Sequence, residues 1–367
     1  MSFLAERMKR IDASGIRKVF ALAAKMKDPI NLSIGQPDYD VDELVKEAAI
    51  GAIRAGQNSY TQTWGLEELR AAVQEYYNAK FGVTPENVMI TSGVSGALFL
   101  ALLATVNAGD EVIFGDPYFV MYKHLVNLLG GTPVPVDTFP HFKLTPEAVE
   151  RAITPRTKLL IVNSPSNPTG VTLNKAELQA LADVGRKHNL MVITDEIYEA
   201  LLYDEAPSTM VGMYENVLLL NGLSKSSGMT GWRLGYAAGP EGVIQAMNTL
   251  QQYTFVCAPS FAQRAAIVAL KEDMRPKIDA YRKKRDIIYD GLREHFNVTK
   301  PGGAFYIYPE APGGDGDEFV KTAIENNLLI IPGSVFSARR THFRISFAAK
   351  EETLHRGIEV LKRLSGR

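Results

Sequence analysis

Between about residue 86 and residue 240, short apolar runs alternate with stretches of helical periodicity, and no other feature constrains the fold as strongly. The run K-L-L-I-V-N, residues 158–163, is apolar almost throughout, so both of its faces are buried. Such a strand belongs in a parallel sheet covered by helices on each side. Similar runs stand at V-M-I-T (88–91), E-V-I-F-G (111–115), T-P-V-P-V (132–136), L-M-V-I-T (190–194), V-L-L-L-N (217–221) and W-R-L-G-Y-A-A-G (232–239). The expectation is a large α/β domain with a mostly parallel sheet. Ligands of such sheets bind beyond the carboxyl ends of the strands, so residues just after each run are the first candidates for function.

Lys225 is one of them, in N-G-L-S-K-S-S-G-M-T-G-W-R-L-G-Y (221–236). Ser224, Ser226, Ser227, Gly228 and Gly231 leave room for a bulky planar ligand to approach its amine. A nearby fixed cation, Arg233, favours the neutral amine that condenses with carbonyls. These features make Lys225 a Schiff-base candidate; a solvated loop lysine is the ordinary alternative. A P-loop is excluded, because Leu219 and Ser224 stand where it demands glycine. After V-M-I-T, the segment T-S-G-V-S-G-A-L passes straight into an apolar helix, and a helix N-terminus behind a small-residue turn suits an anion. No G-x-G-x-x-G occurs, which disfavours a nicotinamide or flavin site. Asn167, Asp195 and Tyr198 follow other runs. Asp195 and Glu196 could suggest metal ligands, but no His or Cys cluster accompanies them. Arg344 sits among alternating apolar residues, which by itself reads as a solvent-facing side chain.

Composition sets the outer limits. Forty basic against 41 acidic residues leave a net charge of −1, which offers no field for nucleic acid or an anionic membrane. The single cysteine, Cys257, excludes an intrachain disulfide, reads as a buried apolar residue, and suits a cytoplasmic protein. The first ten residues interrupt their apolar side chains with charges, unlike a signal peptide. Helical spacing is expected from Phe3 to Lys25, from Glu241 to Tyr253 and from Met274 to His295, where the lysines and arginines read as a solvated face. Three short strands, G-G-A-F-Y-I-Y-P, L-L-I-I-P-G-S-V-F and H-F-R-I-S-F-A, and a final helix, Glu351 to Leu364, are expected in the remainder.

The segment around Lys225 closely resembles the lysine signature of the class I and II aminotransferases, the fold-type I enzymes that use pyridoxal phosphate. S-P-S-N-P-T-G (164–170), D-E-I-Y (195–198) and F-R-I-S-F-A (343–348) are similar to further motifs of that family, in family order. The resemblance covers nearly the whole chain. It implies a seven-stranded, mostly parallel sheet in a large domain, residues 36–275, and a small α+β domain from residues 1–35 and 276–367. It implies that Lys225 carries pyridoxal 5'-phosphate and acts as general base and acid, and that Asp195 pairs with the ring nitrogen. Asn167 and Tyr198 would then reach the phenolic oxygen and Phe119 would stack on the ring. Gly93, Val94, Ser95 and Arg233 would hold the phosphate end, joined by Tyr60 from the other subunit of a homodimer, and Ser224, just before the lysine, would also bind the cofactor. Gly35 and Asn167 would lie against the substrate, and Arg344 would clamp its α-carboxylate. No metal is implied.

The activity so implied is ping-pong transfer of an amino group from an L-amino acid to a 2-oxo acid such as 2-oxoglutarate. A β-lyase of the same fold and a non-catalytic binding protein are the alternatives; a transcriptional regulator would need a DNA-binding domain, and none fits before Gly35. Some bacterial aspartate aminotransferases have a lysine for the distal carboxylate at the position of Ser95. Its absence, and the resemblance of Q-Q-Y-T-F-V-C-A-P-S-F (251–261) to archaeal aromatic and broad-range members of the family, imply aromatic or other apolar donors at least alongside aspartate.

Overall fold

The structure, a computed structural model, describes residues 3–12, 15 and 26–366. Twelve strands are described: β1 (Ile30–Asn31), β2 (Met89–Thr91), β3 (Glu111–Asp116), β4 (Thr132–Asp137), β5 (Thr157–Asn163), β6 (Met191–Asp195), β7 (Val217–Gly222), β8 (Gly235–Ala238), β9 (Tyr306–Ile307), β10 (Leu328–Leu329), β11 (Ile331–Pro332) and β12 (Phe343–Ser346). Seven of them form one sheet in the order β2-β8-β7-β6-β5-β3-β4. The pairs from β4 through β7 are parallel. Only β8 runs against its neighbours β7 and β2.

Helices cover both faces of this sheet, and the strands show it residue by residue. Leu159 and Ile161 of β5 join the cluster built on the helix Gly93–Thr105, whereas Leu160 and Val162 join the one built on Lys175–Lys187. Alternate residues therefore meet two different cores, and that is why the run could carry no polar face. The helix Lys175–Lys187 begins in a capping box between Asn174 and Glu177, a start the sequence announces locally.

A second, smaller sheet has the order β11-β12-β9, and β1 pairs with β10 beside it. Helices Arg275–Leu292 and Glu351–Leu364 pack under it. Phe343, Ile345 and Phe347 enter that core, so Arg344, the alternate residue of β12, faces the opposite way, toward the large sheet. The solvent-facing reading of Arg344 is thereby corrected: it is 1% exposed.

Other expectations also change. The stretch L-L-I-I-P is not one strand, because β10 pairs with β1 while β11 pairs with β12. The basic face of Arg275–Leu292 is not wholly solvated. Arg285 is buried against Asp204, Asp286 and the carbonyl of Pro301, and Lys284 pairs with Asp38. Cys257 is half-buried rather than buried. A helix at Ser260–Ala269 had no counterpart in the sequence reading. Of the helix expected over residues 3–25, a 3₁₀ turn at Glu6–Arg10 is described; most of the remainder lies outside the described residues.

Candidate active site

The carboxyl ends of β5, β6 and β7 open into a cleft of about 800 Å³. Lys225 lies on its floor, carried by the single helical turn Leu223–Ser226 that follows β7 directly. Its Nζ donates to the Gly35 carbonyl at 2.5 Å. Burial pulls its pKa down to about 8, helped by the Arg344 charge and then by Arg233. Arg233, from which the sequence argument started, is thus the third cause rather than the first.

Asp195 ends β6 and is buried. Burial pushes its carboxyl up to about 6, against the hydrogen bonds it accepts from Tyr122 Oη (Oδ2, 2.6 Å) and the Ile197 N–H (Oδ1, 3.3 Å). The next residue, Glu196, follows the strand's direction, its N–H on the Leu220 carbonyl, and projects to the other side of the sheet. There it accepts from Thr194 Oγ1 (3.0 Å), Thr209 Oγ1 (2.8 Å), the Met210 N–H (3.1 Å) and Tyr77 Oη (3.2 Å). Burial raises Glu196 to about 7. Tyr77 Oη in turn accepts from Asn221 Nδ2 at 2.9 Å, just before the lysine turn.

Asn163, the last residue of β5, ties these ends together: its Nδ2 donates to the Asp195 carbonyl at 2.9 Å, and its Oδ1 accepts from the Asn167 N–H at 3.0 Å. Across the cleft, Arg344 donates from Nη1 to Asn167 Oδ1 and from Nη2 to the Ser33 carbonyl, both at 2.9 Å. Its guanidinium lies 4.5 Å from the Tyr306 ring centre and 4.8 Å from that of Phe336. Tyr198 and Tyr306 share a hydrogen bond of 2.8 Å between their hydroxyls.

At the other end, the helix Gly93–Thr105 starts at once after β2, leaving its first N–H groups free of helical partners. Gly93 has φ +69°, and a Cβ there would lie 2.6 Å from Arg233 Nη2. The absence of a side chain lets a cation come onto a helix N-terminus, which concentrates positive potential at one point. Across the cleft, the buried Arg344 Nε has no partner among the described residues.

Of the residues singled out from sequence, Gly35, Val94, Ser95, Phe119, Asn167 and Asp195 line the cleft, as do Tyr198, Ser224, Lys225, Arg233 and Arg344. Gly93 stands behind them against Arg233. Tyr60 is 84% exposed and lies away from the cleft of its own chain. The sequence reading missed Tyr122, Asn163 and Tyr306; Asn163 alone had a usable signal, its strand-end place. No cluster able to hold a metal ion occurs among the described residues.

The arrangement can hold an anion at one end and a carboxylate at the other, with a reactive amine and a buried carboxyl between. The chain as a whole is similar to known proteins. The chain matches the family model for "Aminotransferase class I and II" over residues 27–361. It is 40% identical to an aspartate/prephenate aminotransferase of Cereibacter sphaeroides, with 96% of each chain covered. It is 36% identical to aromatic-amino-acid aminotransferase 2 of Thermococcus litoralis, with 98% of each covered. Its structure resembles that of the Thermus thermophilus aspartate aminotransferase with maleate, with a TM-score of 0.94, 37% identity, and coverage of 99% of this chain and 100% of the other.

Proposed function

Because the chain belongs to the class I and II aminotransferase family and is an amino-acid transaminase, we propose that its cleft binds pyridoxal 5'-phosphate through Lys225. The observation that carries this is the amine itself: buried, drawn down to about 8, and set between Asp195 and Arg344. The residues present fit the cofactor. The Gly93 turn brings Arg233 against a helix N-terminus, a cradle for a phosphate that a Cβ would fill. Val94, Ser95 and Ser224 line the same cleft, and so does Phe119, which offers a ring face. When bound, the cofactor supplies a carbonyl that condenses with amines and a ring that withdraws electrons from the substrate α-carbon.

The chain's own groups do the rest. Arg344 takes the donor's α-carboxylate; its planar fork and unpartnered Nε suit that task. Asp195 holds the proton of the ring nitrogen, and that cation would in turn keep its carboxyl ionised. Asn167 and Tyr198 bind the phenolic oxygen. Lys225 Nζ, once free, takes the proton from the donor's α-carbon and returns it one atom beyond the nitrogen. A 2-oxo acid leaves, and a second one, such as 2-oxoglutarate, takes up the amino group by the reverse steps.

The donor is aspartate, an aromatic amino acid or another apolar one. Relatives named for aspartate/prephenate and for aromatic amino acids stand at 40% and 36% identity, which does not separate them. Ser95 at the cleft rim favours apolar donors at least as well as aspartate. We place residues 36–275 in a large cofactor-binding domain and residues 1–35 and 276–367 in a small one. A homodimer completes each site with Tyr60 of the partner; exposed Tyr60, Tyr253, Phe255 and Val256 are surface that a two-fold mate would cover. No helix among the described residues is long and apolar enough to cross a membrane. The single cysteine supports the cytoplasm as the compartment.

Borohydride reduction of the cofactor-loaded protein followed by peptide mapping tests the reading. The label should fall on Lys225, and a label on any other lysine overturns it. For the dimer, equal mixing of Lys225→Ala and Tyr60→Ala subunits should restore activity above the mean of the two parents.

A further inference from the structure

We propose that Tyr306 is a positioning residue that aims the Tyr198 hydroxyl and carries the Arg344 guanidinium, an inference that rests on the reading of the cleft just given. Three contacts converge on this one side chain. Its Oη lies 2.8 Å from Tyr198 Oη. Its ring lies 4.5 Å from the centre of the Arg344 guanidinium. Its hydroxyl also fills the space beside Gly35, where a Cβ would come within 2.8 Å of it. Gly35 supplies the carbonyl that holds the Lys225 amine, so Tyr306 touches all three groups that must stay in register.

The chemistry of the hydroxyl pair follows from its surroundings. Burial pushes both phenols above their ordinary pKa, so each keeps its proton at neutral pH. Two O–H groups with one bond between them leave one proton to be directed elsewhere. Next to burial, the Arg344 charge is the largest influence on Tyr306, and it makes Tyr306 the readier donor. With Tyr306 donating, the Tyr198 proton is released toward the cleft. A hydroxyl that accepts one hydrogen bond also donates a stronger one. The Tyr306 ring, edge-on to Tyr198 at 5.6 Å and 83°, fixes the mutual angle. Its face meanwhile gives the guanidinium a flat support that leaves the planar fork aligned.

The two tasks can be separated. Tyr306→Phe removes the hydroxyl and keeps the ring; Tyr306→Leu removes both. The readout is the pH midpoint at which the visible absorbance of the cofactor-loaded, substrate-free protein changes. Donation from Tyr198 steadies negative charge on the phenolic oxygen, which is needed most once the nearby nitrogen has lost its proton. Weaker donation therefore delays that loss. Tyr306→Phe should raise the midpoint by about 0.4 to 1 pH unit, the worth of one ordinary hydrogen bond. Tyr198→Phe should raise it further, and the double variant should match Tyr198→Phe alone, because Tyr306 acts through Tyr198. Tyr306→Leu should in addition raise KM for the amino donor about tenfold, with a smaller change in kcat, which Tyr306→Phe should not do. An unmoved midpoint in Tyr306→Phe, or shifts that simply add in the double variant, would overturn the aiming role. An unchanged KM in Tyr306→Leu would overturn the support role. A parent protein that takes up no cofactor at Lys225 would overturn the reading of the cleft and this inference together, whereas a loaded parent with a flat response in the variants overturns this inference alone.

Discussion

The floor of the cleft stands on the carboxyl ends of β5, β6 and β7, and its polar groups are tied mainly to one another or to the helix beside them. Asn163 holds the Asp195 carbonyl, and Tyr122 holds the Asp195 carboxyl. The wall stands on β9 and β12, and its groups reach outward: Arg344 to Asn167 and Ser33, Tyr306 to Tyr198. Apart from the Lys225 amine, which reaches the Gly35 carbonyl, the floor is set within one sheet and its helices, whereas the wall is set only when two sheets meet. That difference assigns chemistry to the floor and substrate capture to the wall, and each assignment can be broken.

Asp195→Ala strikes the floor and should have the largest effect, a fall in kcat of about a thousandfold or more with the cofactor still attached. Near-normal turnover would remove Asp195 from the chemistry. Arg344→Lys strikes the wall, replacing a planar fork by a point charge. We expect KM for the donor to rise about tenfold to a hundredfold, with kcat changed far less. A kcat loss as large as that of Asp195→Ala would erase the distinction between floor and wall. At the rim, Ser95→Lys should raise kcat/KM for aspartate about tenfold, the worth of one partly desolvated ion pair. Strong aspartate selectivity in the parent would show that another cation already serves.

The smallest effect should come from beneath the floor. Glu196→Gln keeps the volume and removes a titrating group, so turnover should change less than about threefold. Stability gives the sharper signal. A carboxyl whose pKa is raised in the folded state, here to about 7, stabilises the protein below its unfolded value and loses that contribution as pH rises through 7. The parent's melting temperature should therefore fall by a few degrees relative to the variant's between about pH 5 and pH 8. Parallel curves would mean that Glu196 does not titrate in that range.

The same contrast governs what could be read in the sequence. Asp195, Asn167 and Lys225 follow unbroken apolar runs, and the rule that ligands sit beyond parallel strand ends finds them without knowledge of the other elements. Arg344 does not yield to that rule. Its neighbours alternate as in a half-exposed strand, and only the packing of Phe343 and Ile345 against Glu351–Leu364 shows that its own side faces a second buried surface. Tyr122 and Tyr306 look like core aromatics because their rings are core; the hydroxyl of each finds its partner on a different element. The helix Ser260–Ala269 was lost among alanines that carry little periodic contrast. Arg285 was misread because a charge run does not reveal which of its members meets Asp204 from across the fold.

Asp195, the last residue of β6, and Glu196, the residue after it, are adjacent carboxylates sent to opposite sides of the sheet, and this has a consequence on the scale of descent. Losing or gaining a single codon within β6 would exchange them, turning the longer acid toward the cleft and withdrawing the shorter one from Tyr122. Both errors would arrive in one step, and no repair nearby could undo only one. Lineages of this fold can therefore revise the strand by replacing its letters but not by changing their number. Variation in length is better borne by stretches such as residues 205–208, whose backbone takes no part in the sheet.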